Sequence, residues 1–334
     1  MSLLITIFIL VFIVGLCIGS FLNVVILRAL SGESIAFPAS KCPKCQTPLK
    51  WWHNIPVLSY IFLRGKCAFC KEHISIQYPI IELLTAVIFT FIFLKYGFRI
   101  ETLFMWTISS LMIVLAGTDI KEKVVFDVHA YSLIGVAILY ATYLTCFSLY
   151  QMHHLMPDYH LPKMSIIFNP VTNAILGAVV GALVMEACAR IGYLVADTRA
   201  FGEGDTLIAA GLGALFGWSQ FLFVLVLSIL IQVLIFLPIF IKGLVVNKEW
   251  KTLIGFSVFV VYAAIFYTLQ SSGIINEGIF FILGAIILAI IGVAVCLLIL
   301  KGLKENPQNR TYLPFGPAMV IASFFMIFLQ MLLV

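Results

Sequence analysis

Four cysteines and a small set of acids carry the recognisable chemistry of this 334-residue chain. "CPKC" (Cys42, Cys45) and "CAFC" (Cys67, Cys70) read C-x2-C-x21-C-x2-C. Each pair makes a knuckle with two thiolates facing one point, and two knuckles complete a closed tetrahedral Zn2+ site. With no open coordination position such an ion is structural. It staples about 50 residues that are too few to bury a core of their own. A disulfide is disfavoured on a reducing cytoplasmic face, and a redox C-x-x-C would not need two copies. His53 and His73 lie close in sequence, but His53 in "WWHNIP" is expected to make an ordinary hydrogen bond. Cys17, Cys146, Cys188 and Cys296 fall singly in apolar runs, where a thiol packs as a small hydrophobe.

Acids at or inside apolar segments are the second group: Glu82, Asp119, Asp127, Glu186, Asp197, Glu203 and Asp205. Ionisable groups are costly in a membrane and count there as functional candidates. Asp119 in "LAGTDIKEKVVFDVHA" and Asp205 in "FGEGD" fall at one depth on one side of the membrane. Two carboxyls close to water can share a proton: repulsion keeps one protonated, to donate to a carbonyl, while its ionised neighbour takes a proton from water. That is aspartic-protease chemistry. Gly202 and Gly204 would let the backbone bend and approach an extended peptide. An aspartate ahead of "TLIAAGLGALFGW" equally suits a helix N-cap, and for Asp127 the cap reading leads. Glu203 adds a third acid that would tune the pair.

The elements that must position these groups are membrane helices. The chain is 63% hydrophobic and 10% charged, against roughly 25% charged in soluble domains, which excludes an ordinary soluble domain. Apolar segments of spanning length are expected near 3–27, 78–97, 102–118, 128–149, 171–195, 220–241, 252–270, 277–300 and 317–334, with a shorter one at 206–218. The first lacks a basic start and a cleavage site, so it is expected to be retained. Threading ten helices leaves three of the twenty Lys and Arg residues (Lys95, Arg99, Lys163) on one side and the other seventeen opposite, which marks that side as cytoplasmic. Contact with anionic lipid accounts for the net charge of +5 without nucleic acid. Residues 28–77 form one polar cytoplasmic module between helices 1 and 2. "GAVVGA" carries Gly177 and Gly181 at the spacing of close helix packing; Gly211, Gly213 and Gly217 read likewise as packing. The outer stretch 150–170, with His153, His154 and His160, reads as a polar loop more readily than as a metal site.

"GSFLNVVILR" (19–28), the cysteine module through "YPIIELLTA" (to 86), "DIKEKVVFD" (119–127), "GEGD" (202–205) and "PFGPA" (314–318) stand in one order that resembles the bacterial type IV prepilin peptidases. These are leader peptidase/N-methyltransferases and GxGD-type intramembrane aspartic proteases. The resemblance implies cleavage of a short basic leader from prepilins or pseudopilins at the cytoplasmic face, with Asp119 and Asp205 catalytic. It also implies methylation of the new N-terminal residue from S-adenosylmethionine. The motifs tied to that second activity match Asn23, Arg28, Pro56, Arg64, Gly65, Tyr78, Pro79 and Glu82, of which Asn23, Arg28, Arg64, Tyr78 and Glu82 are the cofactor-binding candidates. Glu82 and Arg28 are alternatively a salt bridge. Residues 1–100 then form the methyltransferase part and 101–334 the peptidase part, in a multi-pass bacterial inner-membrane protein. The family pattern departs at Leu207, where a lysine is usual, and at Phe126, where a proline is. The family has about eight helices; two extra ones are expected at about 244–310. The rivals are a peptidase without methyl transfer, an ion-coupled transporter with carboxylates deep in the bilayer, and a zinc-module scaffold without catalysis.

Overall fold

A computed structural model describes residues 2–37, 39–155, 169–196, 202–246, 250–271 and 314–332, with 283, 284, 286, 287, 290 and 291. The expected outer loop, apart from its edges, and most of the segment at 277–300 lie outside the described residues. The architecture is helical: α1 (Ser2–Ser31), a 3-10 turn (Trp51–Asn54), α2 (Leu58–Phe62), α3 (Gln77–Tyr96), α4 (Ile100–Glu122), α5 (Asp127–Leu155), α6 (Pro170–Ala196), α7 (Glu203–Val246), α8 (Trp250–Ser271) and α9 (Gly316–Leu332). Among the described residues α1 and α3 to α7 are long and apolar enough to cross a membrane, and α9 is a shorter apolar helix. Two compact units are present. The first holds residues 1–187, 201–229 and 314–334, and the second 188–200 and 230–313.

Helix ends follow local chemistry. Pro170 opens α6 at the position where a missing N–H costs nothing, and the Asn169 side chain caps it by accepting from Thr172 N–H at 2.9 Å. Lys123 closes α4 in a left-handed conformation (φ 55°, ψ 37°), and its N–H donates to the Asp119 carbonyl at 3.0 Å. Asp119 is thereby fixed in the last turn of α4, which extends beyond the expected end at 118.

Within the first unit, small residues bring the helices close. Gly15 and Gly19 of α1 face α3, where added Cβ atoms would lie 2.5 Å from the Ala86 Cα and 2.7 Å from the Glu82 Cα. Gly177 of α6 abuts the Gly213 carbonyl and Gly181 that of Ala209. The glycines assigned to packing from sequence therefore do pack. Ile108, Met112 and Leu115 of α4, Leu133 of α5, Ile208 and Leu212 of α7 and Met319 of α9 are fully buried.

The segments expected at 206–218 and 220–241 are two helices of the α7 stretch, meeting at a kink at Gly217 (φ 76°, ψ 166°) close to the expected boundary. Only glycine takes that conformation without strain, and the space of its Cβ is filled by the Asn173 amide.

Candidate active site

Asp119 and Asp205 come together in the first unit, 4% and 5% exposed. The last turn of α4 supplies one and the first turn of α7 the other, and they interact electrostatically. Asp205 is the third residue of α7, not its N-cap. Its Oδ2 reaches back to accept the Gly202 N–H at 3.1 Å, satisfying a helix-end donor and fixing the carboxylate. The cap chemistry and the pairing with Asp119 thus coexist on one side chain. Asp119 Oδ2 is buried and has no hydrogen-bond partner. Beside it lies the start of α9: a Cβ on Gly316 would sit 2.5 Å from Asp119 Oδ2 and 2.9 Å from Ile208 Cδ1. The Gly316 N–H approaches both carboxyls and lessens their repulsion. Glycine at 316 is what lets the start of α9 pack this closely against the carboxyl, and the unsatisfied buried oxygen is suited to bond a water or a protonated partner.

The remaining residues of "GEGD" and "DIKEKVVFD" differ in placement. The space at Gly204 is taken by the Val125 side chain, so this glycine seats the start of α7 on the α4–α5 connection. Glu203 and Asp127 are exposed at the first residues of α7 and α5. Lys123 acts electrostatically on Asp119. Sequence reasoning missed the part played by Gly316 and Val125. "PFGPA" signalled the former only as a motif.

The four module cysteines converge, with their sulfurs within 4.8 Å of one another and Cys42 Sγ 3.8 Å from Cys70 Sγ. Sulfurs about 3.8 Å apart are what tetrahedral ligands 2.3 Å from an ion require, and are too distant for a disulfide. The knuckles repeat each other. Cys42 N–H donates to Thr47 O and Cys67 N–H to Glu72 O; Gln46 and Lys71, each following the second cysteine, are left-handed (φ 58° and 62°). Hydrogen bonds from the Thr47 side chain and backbone pull the Cys45 thiol down to about 6. At Cys70 a Glu72 backbone hydrogen bond pulls downward, but burial and the Cys67, Cys45 and Cys42 sulfurs outweigh it and push the thiol up to about 11. Four sulfurs this close cannot all ionise without a cation among them, so the donor set fits a metal.

A third cluster lies between α1 and α3. Asn23, 1% exposed, donates from Nδ2 to the carbonyls of Gly19 (3.3 Å) and Tyr78 (3.1 Å), while its Oδ1 is buried without a partner. Glu82 Oε2 accepts the Val57 N–H at 2.7 Å, and the Ser20 hydroxyl also bonds this carboxyl. Val57 is β-branched and at positive φ (59°), a strained conformation that the Glu82 bond helps hold. Of the five cofactor candidates, Asn23, Tyr78 and Glu82 are brought together, Tyr78 through its carbonyl. Arg28 donates to Ser34 O (2.7 Å) and Ile35 O (3.1 Å), and Arg64 is exposed just after α2.

The profile of the Bacterial Peptidase A24 N-terminal domain matches residues 13–96, and that of the Type IV leader peptidase family matches 106–237. A Prepilin leader peptidase/N-methyltransferase of Myxococcus xanthus (strain DK1622) is 33% identical over 220 residues, 65% of this chain and 58% of that protein. The protein of the same name from Neisseria gonorrhoeae is 32% identical over 231 residues, 62% of this chain and 73% of the relative. That from Klebsiella pneumoniae is 30% identical over 214 residues, 62% of this chain and 84% of the relative. The chain belongs to the prepilin leader peptidase/N-methyltransferase family. No solved structure matches it. The two family profiles divide the site residues. The cysteines, Asn23 and Glu82 fall in the N-terminal domain, and Asp119 and Asp205 in the leader peptidase region, while Gly316 lies beyond both.

Proposed function

We propose that this chain removes the leader of type IV prepilins or pseudopilins with Asp119 and Asp205 and then methylates the new N-terminal residue. The observation that carries the reading is the buried carboxyl pair, with Asp119 Oδ2 left without a hydrogen-bond partner and Gly316 packed against it. One carboxyl, protonated, donates to the scissile carbonyl; the other, ionised, takes a proton from the attacking water and passes it to the leaving amine. The Asp205 bond to Gly202 holds one partner rigid, as positioning of this kind requires. The substrate segment unwinds at the cleavage point, because a hydrogen-bonded helix keeps its carbonyls from attack.

S-adenosylmethionine supplies an electrophilic methyl group. Asn23 Oδ1 and the Glu82 carboxylate offer acceptors for an ammonium, either of the donor's amino-acid end or of the new N-terminus. The metal of the cysteine cluster is zinc by its four thiolates, and it is structural because no ligand position is open. The site faces the cytoplasm of a multi-pass inner-membrane protein, as the clustering of lysines and arginines supports.

The ten-crossing topology is supported by parity. Gln330 Nε2 donates to Gln220 Oε1 at 3.0 Å and Lys95 Nζ to the Gln330 carbonyl at 3.4 Å, so Gln220 lies at the outer end with Lys95. Gly316 lies at the opposite end with Asp119. Between 220 and 316 the number of crossings is therefore odd. One crossing or three satisfies this; the ten-crossing reading takes 220–241, 252–270 and 277–300 from the sequence as the three.

The test is incubation of the membrane-reconstituted protein with a prepilin and methyl-labelled S-adenosylmethionine, followed by mass analysis of the product. A shortened pilin with one added methyl on its first residue is expected. An intact pilin after prolonged incubation contradicts the proposal.

A further inference from the structure

The cysteine module carries large apolar side chains that nothing in the first unit covers. Phe62 is 81% exposed, Trp51 75%, Ile61 61% and Leu58 51%. Three of the four belong to α2, a helix of five residues, and Trp51 opens the turn before it. Single exposed apolar residues are ordinary, but a contiguous set of this size marks an interaction surface.

The position of α2 along the membrane normal follows from one bond. Val57, immediately ahead of α2, donates to Glu82 Oε2 at 2.7 Å. Glu82 lies five residues into α3, whose membrane-length stretch begins at Gln77. At 1.5 Å per residue, Glu82 is about 7–8 Å inside that edge. The start of α2 is therefore held level with the first turns of a membrane helix and not above them. Interfacial helices bury their apolar faces at about 5–10 Å, the same depth. Exposed apolar residues also continue from it along the membrane-length helix: Ile76 (65% exposed) caps α3, and Ile80 (52%) and Leu84 (45%) lie on it.

Charge selects the same surroundings. Residues 32–76 carry six cations (Lys41, Lys44, Lys50, Arg64, Lys66, Lys71) and two carboxylates (Glu33, Glu72), a side-chain balance of +4. A four-thiolate site holding a divalent ion would reduce this to +2. Lys50 Nζ sits over the Trp52 ring at 5.0 Å, so a cation and an aromatic surface are presented together, as at headgroup level. We propose that α2 and the Trp51–Asn54 turn lie in the leaflet interface, with Leu58, Ile61, Phe62 and Trp51 among the acyl-chain ends and the surrounding lysines on anionic headgroups. The module is then clamped flat against the membrane where α1 and α3 emerge.

Depth-resolved tryptophan quenching of the full-length protein in vesicles tests this. Trp106, Trp218 and Trp250 are replaced by Phe, leaving Trp51 and Trp52. A second version carries the same three replacements with Trp51→Phe, Trp52→Phe and Phe62→Trp, so that α2 reports alone. In vesicles of mixed zwitterionic and anionic phospholipid, shallow brominated lipids should remove most of the emission of both versions, and aqueous acrylamide should remove little. Purely zwitterionic vesicles should give weaker bromine quenching. Free access of acrylamide with no bromine quenching would overturn the proposal and assign the surface to an aqueous protein partner. Equal quenching in both lipid mixtures would overturn its electrostatic half. Because each variant is conservative, retained leader cleavage confirms that the protein reports from its folded state.

Discussion

An alanine at position 316 would place its Cβ 2.5 Å from the oxygen of Asp119 that has no partner. The same Cβ would come within 2.9 Å of Ile208 Cδ1, so the Asp119 carboxyl must shift to admit it. Gly316→Ala should lower leader cleavage by about 100-fold, the scale on which misplacement by 1 Å acts, while methyl transfer to an already cleaved pilin is retained. A paired assay of the two activities on one preparation checks this; equal loss of both would assign Gly316 to folding. The aspartates were candidates from the sequence, since few acids fall at membrane-helix ends and charge placement put two of them on one side, but it took the family motifs to set Asp205 above a helix cap. Gly316 was not legible as a neighbour. Its contact with Asp119 joins distant stretches of chain, and no periodicity reports it. Val57 was hidden for a related reason: its positive φ answers to a carboxylate on another element.

Among the elements, the cysteine knuckles were the most readable, because thiolate spacing constrains the fold directly. Their function as a staple predicts the effect of metal removal. A strong chelator, or Cys45→Ser, should expose residues 39–76 to protease and abolish methyl transfer before leader cleavage is lost. Proteolysis followed by mass analysis, alongside both assays, reads the order. Binding must expel the proton that Cys70 holds, its thiol being pushed up to about 11, so apparent affinity should rise with pH by about tenfold per unit for each proton released and fall on acidification. Metal competition titrations across pH 6 to 8 measure that slope; a flat profile would contradict ligation through Cys70. The break in α7 was half legible. The apolar run from 206 to 241 exceeds one crossing, and a boundary near 219 follows from length, but the exact place of the kink at Gly217 goes with the Asn173 amide packed against it.

Across the whole molecule, charge asymmetry and helix length were enough to read a polytopic helical protein from sequence. What sequence left open is how the C-terminal half threads. The proposed ten-crossing topology would put the chain near 244–249 on the cytoplasmic side. A cysteine introduced at Lys248 should be modified by a membrane-impermeant maleimide only from the cytoplasmic side, in inverted vesicles and not in intact cells; the opposite pattern would remove one crossing. Rival readings differ at this scale too. A transporter needs its carboxylates deep in the bilayer, whereas Asp119 and Asp205 occupy the terminal turns of their helices. The central claim is that these two carboxyls perform the cleavage together. The measurement that tests it most directly is the rate of leader removal by Asp119→Asn and Asp205→Asn proteins, with methylation of a pre-cleaved pilin as the internal control. Both variants should leave the leader uncut while still transferring methyl groups; cleavage at the unaltered rate in either one would contradict the pairing.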